Sequence, residues 1–228
     1  MLELFKDPNE FFRNKMNEPE DLKRPLYIIL GLWLSRLFML SMISVVFISY
    51  YLSNSAIDFS SITSDMYMFF VIILLVILII SLIGILFLWI TTAGIFYLFS
   101  AIFRGTGSFN RILEFTSYGF IPYIIDTLLT PVYLWLIIPN LDLMSIIVNM
   151  DKTGDTSTFV NELFYANIPL NVFSTLFSIA LFVLALHIWM NGMKHGRNLS
   201  TKQAILTVGI PAVLYAIYEV LKFIIYFI

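Results

Sequence analysis

Five ionisable side chains, Arg36, Asp126, His187, Glu219 and Lys222, stand inside stretches of sequence that are otherwise apolar. A charge at bilayer depth is costly, so each of these is a candidate for an ion path, a proton relay or a structural pair. Counted from the basic end of each stretch at about 1.5 Å per residue, Arg36 lies roughly 15 Å in and Asp126 and Glu219 roughly 22 to 24 Å in. His187 lies only about 5 to 8 Å in on the same count, too shallow to meet Asp126. Arg36 reaches Asp126 or Glu219 if their helices are neighbours. Two buried carboxylates with a cationic partner suit a proton or cation path; the same three residues also suit an ion pair that fixes helix register.

The remaining polar clusters offer little chemistry. His187, Asn191 and His195 follow an i, i+4, i+8 spacing and share one helical face, but two His and one Asn are too few ligands for a zinc site. Gly105-Thr106-Gly107 lacks the Lys-Ser/Thr continuation of a phosphate loop and reads as a turn with Ser108 as a helix N-cap. There is no Cys, and two His leave no nucleophile and base arrangement. No catalytic residue, metal or cofactor is expected, and the chain reads as a non-enzyme.

The elements that carry these residues follow from composition. Of the 228 residues, 60% are hydrophobic and 12% charged, and the mean hydropathy is +0.91, whereas a soluble domain carries about 25% charged residues. The expected fold is all-α, a polytopic membrane bundle, because a helix needs about 20 apolar residues to cross the hydrocarbon core. Five stretches qualify: residues 26–52, 67–103, 112–138, 168–190 and 204–228. The second is too long for one upright crossing and is expected to tilt or extend along the interface. Pro122 and Pro131 are expected to kink the third span, with a broken or re-entrant segment as the alternative, and Pro211 the fifth.

Lys and Arg alternate between the connecting segments. Lys6, Arg13, Lys15, Lys23 and Arg24 precede the first span, Arg104 and Arg111 lie between the second and third, and Lys194, Arg197 and Lys202 between the fourth and fifth. Segment 53–66 has none and segment 139–167 only Lys152. The bias places the N-terminus in the cytoplasm and the C-terminus outside. The near-neutral net charge of -2 points to no nucleic-acid partner. Residues 1–25 intersperse Leu2, Leu4, Phe5, Phe11, Phe12 and Met16 among charges, which fits a short interfacial amphipathic helix starting at Pro8.

The order of several short motifs resembles one family. Pro8 with Phe11 and Phe12, then Gly105, Gly107, Tyr118 and Pro122, then Trp189 and His195 through Ala204 to Pro211, are similar to the entry segment, third span and last loop of the Yip family, the Ypt/Rab-interacting five-span membrane proteins. The short N-terminal segment matches the compact prokaryotic members. The resemblance implies a protein that organises membrane or recruits protein partners through its cytoplasmic face, in the plasma membrane of a prokaryote. The basic loops offer contacts to anionic lipid headgroups beside the bilayer itself. The alternative from the buried charges is a small-solute or ion transporter using Asp126 and Glu219. Gly31 and Ser35, four apart in the first span, form a small-residue face suited to close helix packing within or between chains; the oligomeric state stays open.

Overall fold

The computed structural model describes residues 2–54, 64–137 and 165–227. Among them every regular element is helical: α1 (Leu2–Lys6), α2 (Pro8–Lys15), α3 (Lys23–Asn54), α4 (Ser64–Ile102), α5 (Phe109–Tyr118), α6 (Ile121–Ile137), α7 (Ile168–Gly196) and α8 (Thr201–Phe227). Most of segment 139–167, with Lys152, and most of segment 53–66 lie outside the described residues.

Local chemistry sets the helix starts. Asp7 caps α2, its carboxylate accepting from the Glu10 N–H at 2.9 Å, with Pro8 in the first helical position, where a missing N–H costs nothing. Ser108 caps α5 through the Arg111 N–H at 3.1 Å, and Asn167 caps α7 through the Leu170 N–H at 3.1 Å. Ser200 and Gln203 form a reciprocal capping box ahead of α8, the Ser200 N–H donating to the Gln203 side chain at 2.9 Å and the Gln203 N–H to the Ser200 hydroxyl at 3.4 Å.

Five helical stretches are long and apolar enough to cross a membrane: Lys23–Val45, Val71–Ile102, Phe109–Ile137, Ile168–Gly196 and Thr201–Lys222. The chain is an integral, multi-pass membrane protein. Its outer surface agrees, because α4 exposes Ile72, Leu74, Ile80 and Ile83, each more than half. Water would not tolerate such a face, whereas hydrocarbon does. The second span is one unbroken helix of 39 residues.

The third span is built from two helices. At the end of α5 the Phe120 N–H bonds to the Ser117 carbonyl at 3.0 Å instead of continuing the α-helical ladder. Pro122, which has no N–H to give, is the second residue of α6 rather than the centre of a kinked helix. Pro131 and Pro211 do lie inside helices. Backbone carbonyls around the break find indole donors: Trp89 Nε1–H donates to the Leu113 carbonyl at 2.9 Å and Trp189 Nε1–H to the Thr116 carbonyl at 2.7 Å. Gly119 makes room for the second indole, since a Cβ there would lie 2.0 Å from Trp189 Nε1.

In the bundle α3 packs chiefly on α6, α7 on α6 and α8, and α4 on α5 and α8. The Gly31 face is used inside the chain, with Ile124 Cδ1 3.6 Å from where a Cβ would stand, and Ser35 is buried. The core centres on Trp89, Phe96, Phe120 and Trp189.

Candidate functional site

Aromatic residues of the N-terminal arm define the principal site. On α2, the adjacent Phe11 and Phe12 point about 100° apart around the helix, Phe12 into the protein and Phe11, half-buried, along its edge, with their rings edge-on at 5.2 Å. Phe12 is fully buried, 4.8 Å from the Phe115 ring and 5.9 Å from Tyr118; Phe11 meets Tyr118 edge-on at 5.2 Å. Leu4 and Ile188 complete the cluster. The arm precedes the first span, so its burial is drawn by water, and each fully buried side chain of this size contributes about 1.5–3 kcal/mol. The Phe12 ring lies against Gly192 of α7, where a Cβ would stand 3.5 Å from Cζ, at ordinary contact distance.

A buried ion cluster lies beside the aromatic one. Glu114 of α5 has no exposed surface. Its Oε2 accepts from Arg111 at 2.7 Å, and Lys15 of the arm reaches within 3.5 Å of Oε1. That second approach is ionic only, for Oε1 has no hydrogen-bond donor. Lys15 also bonds Glu18 and holds the Glu18 carboxyl below its ordinary value, by hydrogen bond first and charge second. Arg111 donates to the Glu18 carbonyl at 2.7 Å, and the Ser108 hydroxyl donates to Glu20. The arm is thus tied to α5 by charge as well as by packing.

Two further contacts join the arm and the loops. Asn9 Oδ1 accepts from Lys194 Nζ at 2.7 Å and lies 2.9 Å from His195 Nε2. Arg197, only 4% exposed, donates from Nε to Ser100 at 2.8 Å and from its fork to the Gly107 carbonyl at 2.5 Å, and lies over the Tyr97 ring at 4.2 Å. Gly107 adopts φ 123°, and a Cβ on it would stand 2.3 Å from the Gly196 carbonyl oxygen; only glycine fits there. A Cβ at Gly105 would stand 3.1 Å from both Leu199 and the Ser100 carbonyl. The arm, the α4–α5 loop and the α7–α8 loop therefore form one folded platform at the basic end of the bundle.

The motif residues Pro8, Phe11, Phe12, Gly105, Gly107 and Tyr118 gather in this platform. Pro122 opens α6 behind it, and Pro211 lies deeper, in the wall of a cleft between the spans. The expected union of Arg36, Asp126 and Glu219 does not form: among the described residues Arg36 makes an ion pair with neither acid. Asp126 instead accepts from the Ser178 hydroxyl of α7 at 2.6 Å, and Glu219 lies 3.4 Å from Lys222 on its own helix. The physical reason is rotation about the helix axes: α3 packs on α6, yet Asp126 turns to Ser178 of α7 and Glu219 lies beside Lys222 on its own helix. His187 is exposed, with the Asn191 amide donating to its carbonyl at 2.9 Å, while His195 turns to Asn9 in the platform. Among the described residues no three His, Cys, Asp or Glu side chains gather as a metal site.

The Asp126 contact gives a first expected result. Asp126→Asn keeps an acceptor for Ser178 and is expected to lower the melting temperature less than Asp126→Leu, which should cost about 1 kcal/mol on the scale of hydrogen bonds between membrane helices. Equal melting temperatures for the two variants in detergent would contradict a role as acceptor.

Lys15, Glu114, Arg111 and Arg197 were not among the sequence candidates. Arg111 and Glu114 carried the only local signal, an opposite-charge pair three residues apart behind a capping Ser.

Comparison with known proteins agrees with this architecture. No solved structure matches the chain. An uncharacterized protein of Methanocaldococcus jannaschii is 32% identical over 130 residues, covering 57% of this chain and 84% of that protein. The Yip1 domain model matches residues 2–221, a range that takes in the arm, both platform loops and nearly all of the five spans, and the chain belongs to the Yip1 domain family.

Proposed function

We propose that the chain is a non-enzymatic membrane scaffold of the Yip type, which recruits protein partners and organises membrane through the platform, with that platform in the cytoplasm. The observation that carries this reading is the docked arm: Phe12, Lys15 and Asn9 are held against α5 and α7 by packing, charge and hydrogen bonds together, so the surface is ordered before any partner arrives. A preformed surface loses less ordering entropy on binding than a loose tail. Exposed Lys6, Arg24, Arg104 and Lys202 lie where they would attract anionic headgroups, at about 1 kcal/mol each near the surface.

Residues 1–25 would then be a cytoplasmic segment, and the C-terminus would lie outside. Similarity to an archaeal protein supports the plasma membrane of a prokaryote as its location. A reporter fused after Ile228 is expected outside and reporters at Gly105 and Gly196 inside, as the basic residues require; a cytoplasmic C-terminal reporter would reverse this. Transport through Asp126 and Glu219 has less support, because neither acid lines the cleft between the spans.

The scaffold reading is tested with a photo-crosslinking residue at Glu10, Asn110 or Lys202 in native membranes, against lipid-facing Leu98 as control. Defined protein adducts from the platform positions and not from position 98 are expected. No protein adduct at any platform position, together with solute flux in liposomes, would replace scaffolding by transport.

A further inference from the structure

Arg36 is exposed, and among the described residues it has neither a hydrogen bond nor an ion pair. It stands at the rim of a cleft of about 430 Å³ to which all five spans contribute: Arg36 from α3, Thr92 and Phe96 from α4, Tyr123 from α6, Trp189 from α7 and Pro211 from α8. Sites for small molecules span about 300–1,000 Å³, so the space is large enough for a ligand. It arises from the sequence of α8, where Pro211 and Ala212 place no long side chain at this level. The floor is rigid, with Phe96 and Phe120 each 5.4 Å from the Trp189 ring and edge-on to it.

Two features select the ligand. The first is charge. Ten residues past Leu26, Arg36 lies about 15 Å along α3, at hydrocarbon depth. A guanidinium does not neutralise itself by losing a proton, so it calls for an anion there. Asp126 is engaged by Ser178 and Glu219 by Lys222, and neither lines the cleft. Among the described residues no acid pairs with Arg36, which leaves the place open to an anion from the surroundings. The second is the direction of entry. Phe96, Trp189 and Val208 on the floor are buried, while Leu88, Ile95 and Tyr215 at the rim are exposed at a level where the surroundings are lipid, so the cleft opens sideways into the bilayer. Its walls beyond Arg36 are mainly hydrocarbon and aromatic rings.

We propose that this cleft binds a membrane amphiphile with an acidic group, a carboxylate or phosphate on a hydrocarbon chain. The acid pairs with Arg36 and the chain lies against Phe96, Phe182, Leu186 and Val208. Arg recognises both anions through its two-pronged fork.

The cleft contains its own probe, because bromine quenches a nearby indole and Trp189 forms the floor. Full-length protein carrying Trp33→Phe and Trp135→Phe, which leaves the buried Trp89 and Trp189, is placed in nanodiscs of phosphatidylcholine and titrated with dibromostearic acid or with the matching dibrominated alcohol. The acid is expected to half-saturate at a concentration at least about tenfold lower than the alcohol, as suits a charge-assisted pair. Arg36→Gln should abolish the preference and Arg36→Lys should keep part of it, while Ala212→Phe should fill the cleft and remove saturable quenching by both. Dibrominated phosphatidylglycerol shows whether a phospholipid or a free fatty acid is the preferred source. Equal half-saturation by acid and alcohol in the otherwise native protein overturns the proposal without relying on the folding of the Arg36 or Ala212 variants. An unchanged preference in folded Arg36→Gln does so too. Displacement of the acid by millimolar inorganic phosphate alone would identify the ligand as an aqueous anion rather than a lipid.

Discussion

Glu114→Ala is expected to destabilise the protein by about 3–5 kcal/mol, the cost of leaving buried charges without their counter-ion. Arg111 and Lys15 are 6% and 4% exposed, and both converge on a carboxylate with no exposed surface. Without it, Lys15 gains by leaving for water, and the arm leaves with it. Two readouts should move together: a lower melting temperature in detergent and faster tryptic cleavage at Lys6, Arg13 and Lys15. Glu114→Gln keeps the shape and part of the hydrogen bonding, so its loss should be smaller. An arm that stays protected in Glu114→Ala would show that the packing of Phe12 and Leu4 and the hydrogen bonds of Asn9, Glu18 and Glu20 hold it without the Glu114 carboxylate.

Acid should act on the same contact. Lys15 lowers the Glu18 carboxyl below its usual 4.5, so the folded arm favours the ionised form. Its contribution is full above pH 4.5 and is lost as pH falls through the lower folded value. The Glu18 part of arm protection should therefore weaken on acidification below that point.

Gly119→Ala has the second largest expected effect, about 3 kcal/mol or more, from overpacking and a lost hydrogen bond acting together. The added Cβ would fall 2.0–2.4 Å from three atoms of the Trp189 indole. That ring is 6% exposed, held by Phe96 and Phe120 and bonded to the Thr116 carbonyl, so it has little freedom to retreat. A drop in melting temperature with a red-shifted tryptophan emission is expected. An unchanged spectrum and melting point would mean that the break between α5 and α6 relaxes freely.

Span number and order were legible because lipid imposes a simple demand, long apolar runs with internally bonded backbone. The all-helical class follows from the same demand. The composition of the third span, residues 112–138 as read from sequence, was less legible. Pro122 suggested a kink, but a kink and a break leave the same residues in the text. What distinguishes them is the turn from Ser117 to Phe120, braced by indoles of Trp89 and Trp189 that lie 24 and 73 residues from the carbonyls they bond.

The arm shows the same limit. Phe11 and Phe12 on one amphipathic turn announced burial against something, and an interface helix lying on lipid satisfied that pattern as well as a helix docked on protein. Only the tertiary fold brings Phe115 and Ile188 to Phe12. The buried acids illustrate a subtler difficulty. Depth along the helix allowed Arg36 to meet Asp126, but rotation about each axis decides partners. Ser178, one of three hydroxyl residues between Asn171 and Ile179, carried no mark of its own. Arg36 could be recognised in the sequence as an intramembrane charge, but the cleft beside it comes from five separate spans and has no local signature.

The docking of the arm on the platform is directly measurable, because the chain contains no Cys. Spin labels on cysteines introduced at Arg13 in α2 and Lys202 in α8, both exposed, report the arm-to-bundle distance by pulsed dipolar spectroscopy in liposomes. A single narrow distance distribution is expected in the otherwise native chain, broadening when Glu114→Ala is added. A broad distribution without that substitution would mean that the arm does not rest on α5 and α7, and would contradict the account.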